Sequence, residues 1–297
     1  MSMTRRTFLC STAAAGLALS MRGGFAWANP LGLPAGLQLY SVRQQMAQDL
    51  DGALAAVHAA GYTEVESAAL PKKPAKEIRA ALDKAGLRCV SSHNSFADVT
   101  TRFDETAAFV KELGCTYLIC PSSPKRDGTF PNAHSPMSLD DWHYAAEQFN
   151  SVGEKANGVG LHFGYHNHTG EFIPVEGKVP YEELLRLTDP AKVTFEMDAG
   201  WVNVAGVNPV QLMQQHPHRF SMLHVKDFKL AANPQPDKRE ESVVTELGRG
   251  SIDYRPVFAQ AAKNQHITHA FVEQEAFDVP WQESLKIDAD FWRSLKA

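Results

Sequence analysis

The sequence predicts an α/β protein, a single (β/α)8 barrel (TIM barrel), on three observations. From residue 36 onward, short apolar runs alternate with helix-like stretches eight times. Eight such units in about 260 residues match the size of that barrel. Neither G-x-G-x-x-G nor G-x-x-x-x-G-K-[ST], the phosphate-binding turns common in open doubly wound sheets, occurs in the chain. Strand–helix alternation of this kind implies parallel pairing through right-handed crossovers.

The expected strands are 36–42, 62–67, 88–93, 117–120, 161–166, 193–198, 220–225 and 270–273. Helices are expected near 48–60, 74–85, 101–113, 139–157, 180–188, 208–216, 252–264 and 282–295. Gly61 and Gly86 stand where helices stop, and Asp140 and the Asn208-Pro209 pair where they begin. Phe103, Ala107, Val110 and Leu113 fall at helical spacing and form a core-facing stripe.

Ahead of the barrel, residues 1–28 read as an export signal. Arg5 and Arg6 precede an apolar run from Ala13 to Leu19, and Ala26-Trp27-Ala28 supplies an A-x-A site. The adjacent arginines favour the twin-arginine type, so the expected location is periplasmic or otherwise exported. The domain boundaries are therefore 1–28 and 29–297. The apolar run is far below the roughly 20 residues of a membrane-spanning helix, so no membrane insertion is expected after cleavage.

Composition narrows the function classes. The chain is 44% hydrophobic and 21% charged, as a globular protein with a full core should be. Cleavage takes three arginines and no acidic residue, deepening the net charge from −5 to −8. Such a balance argues against nucleic acid as a partner. Cys89, Cys115 and Cys120 remain, and an odd number argues against a disulfide framework.

Barrel enzymes place their chemistry at the C-terminal ends of the strands. Those ends here carry Gln38 and Tyr40, Glu64 and Glu66, His93 and Asn94, then His166, Asn167 and His168 with Glu171 beyond. Next come Asp198 and Trp201, then His224 and Lys226, then Glu273 and Glu275. Unpaired carboxylates inside a protein are costly. A divalent cation is the plainest compensation, and mixed oxygen and nitrogen donors suit Mn, Zn, Co or Mg. Asp198, His224 and Glu273 are the leading ligand candidates.

The order of these strand ends resembles the xylose isomerase-like TIM-barrel superfamily, the sugar phosphate isomerase/epimerase family whose relatives include inosose dehydratases and endonuclease IV. The resemblance runs from Gly36-Leu37-Gln38-Leu39-Tyr40 through Tyr165-His166-Asn167-His168, Met197-Asp198-Ala199-Gly200-Trp201 and His224-Val225-Lys226-Asp227. It continues through Leu247-Gly248-Arg249-Gly250 to Val272-Glu273-Gln274-Glu275. It implies a metal held by a Glu after strand five, an Asp after six, a His after seven and a Glu after eight. Asp198, His224 and Glu273 match the last three. At the first position the chain has His166, with Glu171 the nearest downstream carboxylate, so both stand as alternatives. Trp201 replaces a histidine that several epimerases and endonuclease IV carry.

The resemblance further implies a small-molecule carbohydrate substrate, and barrels of this kind often form homodimers. Proton abstraction beside a carbonyl through a metal-stabilised enediolate would give isomerisation or epimerisation. Glu273 is the first candidate base, with Glu171 its partner, His168 a proton carrier, and Lys226 an acid or oxyanion binder. Gln38, Tyr40, Glu66, His93 and Trp201 are candidate substrate contacts, with Phe96 a further stacking candidate. A keto-sugar lyase or inosose-type dehydratase would use the same metal and base. A non-catalytic exported carbohydrate-binding barrel is the third reading.

Overall fold

The computed structural model describes residues 30–132 and 136–295, so the expected signal at 1–28 lies outside the described residues. Eight parallel strands close a barrel: β1 (Gly36–Gln38), β2 (Glu64–Ser67), β3 (Arg88–His93), β4 (Tyr117–Cys120), β5 (His162–His166), β6 (Val193–Asp198), β7 (Phe220–Val225) and β10 (His269–Val272). Two further strands, β8 (Asp227–Lys229) and β9 (Val243–Thr245), pair antiparallel outside it. The helices are α1 (Arg43–Gln48), α2 (Leu50–Ala60), α3 (Ala75–Ala85), α4 (Phe96–Thr101), α5 (Phe103–Leu113) and α6 (Leu139–Gly158), then α7 (Pro180–Leu187), α8 (Ala199–Val204), α9 (Pro209–Gln215), α10 (Tyr254–Asn264) and α11 (Trp281–Ser294). Among the described residues no helix is long and apolar enough to cross a membrane.

Local chemistry sets the element ends. Gly61 and Gly86 close α2 and α3 at φ 111° and 75°, a conformation that other residues adopt only with strain. Asn208 accepts from the Val210 and Gln211 amides to start α9. Helix α6 starts earlier than Asp140: Ser138 is its cap, with its hydroxyl bound by the Asp141 amide, and Asp140 sits in the first turn. The first strand is shorter than its apolar run suggested. The Gln38 side chain accepts from the Tyr40 amide at 3.0 Å, and this local bond folds Leu39–Val42 into a 3-10 turn.

The barrel interior is layered. At its N-terminal mouth Glu64 pairs with Arg88 and, at 2.8 Å, with His269. Glu64 therefore lies at the opposite end from the candidate site, contrary to its place among the strand-end residues. Above it Val90, Tyr117, Ile119, Met222 and Phe271 form a small apolar plug. Above the plug, inward side chains further along the strands are polar or charged: Glu66, His93, His166, Glu196 and His224. The main apolar core lies between the strands and the helices. Phe96 belongs there, packed on Phe149 and Tyr144, and is no sugar-stacking surface.

One side chain organises the crossover after β7. Asp227 accepts four backbone N–H bonds, from Phe228 and Ile252 through one oxygen and from Gly248 and Gly250 through the other, at 2.8–3.1 Å. A Cβ at Gly250 would stand 2.1 Å from that carboxylate, so the turn needs glycine. Asp288 on α11 then accepts from the Leu247 amide at 2.7 Å, tying the turn to the last helix.

Asp288 gives the fold a pH dependence. Burial pushes its carboxyl up to about 7, outweighing the Leu247 hydrogen bond. With the folded value above the unfolded one, ionisation destabilises the fold, and the penalty grows as pH rises from about 4 through 7. Asp288→Asn should therefore gain stability over the parent by about 2–3 kcal/mol more at pH 8 than at pH 5, by urea denaturation at both values.

Candidate metal centre and active site

Strand register builds the site. His166 stands beside Glu196, and Asp198 directly beside His224. The Glu273 amide continues the β10 ladder by donating to the Val225 carbonyl at 3.2 Å. His166, Asp198, His224 and Glu273 thereby offer donor atoms within 4.8 Å of one another, all from buried residues. A second, overlapping group joins His93, Glu196, His166 and His224.

The two groups share His166 and His224, each of which has a carboxylate behind it. Glu196 Oε2 lies 3.1 Å from His166 Nδ1, 3.3 Å from His224 Nε2 and 2.8 Å from His93 Nε2. Glu66 Oε2 lies 2.7 Å from His224 Nε2 and accepts from Gln38 at 2.6 Å, while Ser91 donates to its other oxygen. On the opposite ring nitrogen, His224 Nδ1 is 3.1 Å from Glu273 and 3.9 Å from Asp198. Burial alone would lower His93, but the Glu66 charge and bonds to both glutamates carry it up to about 9. Burial, with the charges of neighbouring histidines, drives His166 well below its usual value.

The donor set fits a divalent cation. Asp198 Oδ2 and Glu196 Oε1 are buried without a hydrogen-bond partner among the described residues. An orphaned carboxylate oxygen in a dry interior costs the full desolvation of that oxygen, which a cation would offset. The other Asp198 oxygen accepts from the Trp201 amide at 2.8 Å, capping α8 and fixing the carboxylate. That helix can approach because Gly200 is bare: a Cβ there would lie 2.7 Å from the Lys226 carbonyl.

Lys226 is fully buried against three carboxylates, with Nζ 2.9 Å from Glu273, 2.5 Å from Glu275 and 3.5 Å from Asp198. Burial opposes its charge, yet those carboxylates raise it further above the ordinary lysine value. Tyr254 clamps its backbone, donating to the Lys226 carbonyl and accepting from its amide. Glu273 is held well below the usual carboxylate range: burial would raise it, but Lys226 and His224 outweigh that.

Above these groups opens a pocket of about 670 Å³, lined in part by Tyr40, His93, His166, His168, Trp201 and Glu273. His168 lies edge-on to His166 at 4.9 Å, and Trp201 packs on His168 and Phe228. The β8–β9 excursion adds Arg239, Glu240, Ser242 and Val244 to the wall.

Several expectations change. Glu171 does not join the cluster: its Oε1 accepts from Tyr165 OH at 2.6 Å and the His168 amide at 3.1 Å, fastening the loop after β5. His166 is the strand-five member of the group, and Glu171 lies outside both groups of donor atoms. Gln38 and Glu66 are fully buried, bound to each other beneath the pocket instead of lining it. Lys226 pairs with Glu273 but not with Asp227, whose carboxylate is spent on the crossover turn. Glu275 stands among the strand-end residues without a role, and Glu196 does not stand among them. Alternation along β6 would have exposed Glu196, which shares the inward face with Asp198.

A model of the family described as xylose isomerase-like TIM barrel matches residues 54–295. The chain belongs to that family. It is 23% identical over 241 residues to an inosose dehydratase of Clostridium botulinum, covering 73% of this chain and 78% of that protein. A sugar phosphate isomerase/epimerase structure from Parabacteroides distasonis superposes with a TM-score of 0.71 and 27% identity, covering 88% and 94% of the two chains. The IOLI protein, solved with a bound zinc, shares the fold at a TM-score of 0.68 and 12% identity over 89% and 98%.

Glu196→Gln, which weakens the support behind both shared imidazoles, should lower divalent-metal affinity about 10–100-fold at unchanged stoichiometry. Glu171→Ala should leave affinity within about twofold, since that carboxylate serves only the loop. Competition against a fluorescent chelator with Mn²⁺ and Zn²⁺ measures both.

Proposed function

We propose that this protein is a divalent-metal-dependent carbohydrate enzyme that removes a proton from the carbon beside a carbonyl, with isomerisation or epimerisation as the outcome. The observation that carries this reading is the convergence of His166, Asp198, His224 and Glu273 at the base of a pocket large enough for a sugar, with Lys226 in contact with two of them. Membership of a family of sugar-converting enzymes supports it.

A cation held by His166, Asp198, His224 and Glu273 supplies Lewis-acid polarisation of a substrate carbonyl. The protein's own groups do the rest. Glu273 reaches the pocket wall and is the candidate for taking the proton, its carboxylate held ionised by Lys226 and His224. Lys226 Nζ, 2.9 Å away, is the matching acid and the counter-charge for an oxyanion developing beside it. His168 borders the same space, close enough to His166 to carry a proton or hold a hydroxyl. Trp201 and Tyr40 offer aromatic faces to the apolar side of a sugar.

Elimination is the second reading, and one feature favours it. An ammonium beside the candidate base suits departure of a β-leaving group, and the curated relatives include inosose dehydratases. The two outcomes differ in mass.

Metal-loaded protein incubated in D₂O with ketohexoses, aldohexoses and an inosose, followed by mass spectrometry and NMR, tests both. Deuterium entering beside the carbonyl at otherwise equal mass is expected; loss of water identifies the dehydratase. Glu273→Gln and Lys226→Met should each slow turnover by at least about 100-fold. A protein that binds metal yet exchanges no carbon-bound hydrogen across that panel would overturn the proposal in favour of a binding role.

A further inference from the structure

Away from the pocket, the entry to β4 brings two thiols together. Helix α5 ends at Gly114, whose φ of 90° turns the chain abruptly, so that Cys115 follows at once. The Thr116 amide then donates to the Val90 carbonyl at 3.0 Å, and Ser91 pairs with Tyr117. Continued two residues back, that register sets Cys89 beside Cys115. A register shift between β2 and β3 at Val65/Glu66 separates Cys89 from the inward Ser91. Both cysteines consequently lie in the apolar layer under the helices, outside the barrel interior.

Their sulfurs are 3.3 Å apart, Cys115 donating to Cys89. Both residues are buried, 4% exposed, with no charged group bonded to either sulfur among the described residues. Neighbouring positions on paired strands bring side chains within the reach a disulfide requires, and the two thiols are already in contact. Cys120 is differently placed: its thiol donates to the Ser122 carbonyl at 3.0 Å.

We propose that Cys89 and Cys115 form a disulfide in an oxidising environment, a covalent staple between β3 and β4 on the side of the barrel away from the pocket. The oxidant is a disulfide of small-molecule or protein type. The thiolate of one cysteine attacks it, forming a mixed disulfide and releasing one thiol. The second cysteine, as thiolate, displaces the other thiol. One S–S bond forms in the protein as one is reduced in the oxidant, and two electrons and two protons leave the cysteine pair. Because both sulfurs are buried in the folded chain, exchange requires an opening that exposes them. The odd cysteine count that argued against a framework is accommodated as one pair and one structural thiol.

The test uses the full-length chain, unfolded and reduced, then refolded in a mixture of reduced and oxidised glutathione or in reduced glutathione alone. Folded material is denatured in excess alkylating agent, so that every free thiol reacts, and digested with trypsin. In the oxidised sample, peptides 89–102 and 112–125 should be joined, with fragmentation placing the bond at Cys115 and leaving Cys120 alkylated. The oxidised form should melt about 5–10 °C higher than the reduced form, since the bond closes a long loop of the unfolded chain. Cys120→Ser should keep both the link and the shift, whereas Cys89→Ser should lose both. Full alkylation of Cys89 and Cys115 after oxidative refolding would overturn the proposal, as would a bond to Cys120 instead.

Discussion

The structure depends on keeping several ionised groups together in a space almost sealed from water. Glu66, Glu196, His93, His166 and His224 meet directly above an apolar plug, and of these only His93 and His166 reach the pocket above. Such an arrangement holds only if every carboxylate is opposed by donors or positive charge. Glu66 meets the condition through two imidazoles, a hydroxyl and an amide, whereas Glu196 touches three imidazoles through Oε2 and leaves Oε1 bare. The layer above does not close its account internally either. Asp198 retains a bare oxygen although Lys226 and His224 are close, and a cation held by the upper group would offset this shortfall. Rigidity follows from the same constraint, because each ring in the lower layer is fixed by a neighbour that cannot move independently.

Much of this was legible in the sequence because two periodicities wrote it. Alternating strands and helices marked the barrel, and Asp198, His224 and Glu273 stood at or just past strand ends, where a turn to the pocket is expected. What was lost follows from non-local contacts. Gln38 ends its strand because its side-chain amide can bond both forwards to Tyr40 and across to Glu66, and an apolar run does not announce such a contact. Glu171 looked available because a loop carboxylate next to three strand-end polar residues has no visible partner; Tyr165, facing outward from β5, supplies one. Glu64 and Glu66 read alike in a short strand. They differ by one inward layer, which sends one to each side of the plug.

The clustered donor atoms and much of the pocket wall come from different parts of the chain. The donor atoms come from strand ends whose positions the barrel hydrogen bonds set. Much of the pocket wall above them comes from the excursion between β7 and α10, which contributes Phe228, Arg239, Glu240, Ser242 and Val244. On the proposed function, metal affinity and proton transfer would be set by the scaffold, and the choice of bound molecule by that insertion.

Asp227 is the joint between the two. By taking the amides of residues on both sides of the β8–β9 excursion into one carboxylate, it brings the chain back to the same point whatever lies between. The excursion is then modular: segments of different length or composition can be exchanged between its two anchored ends without disturbing the strand registers beneath. New specificities within such a lineage can arise by loop replacement, and a designer can graft them at the same seam.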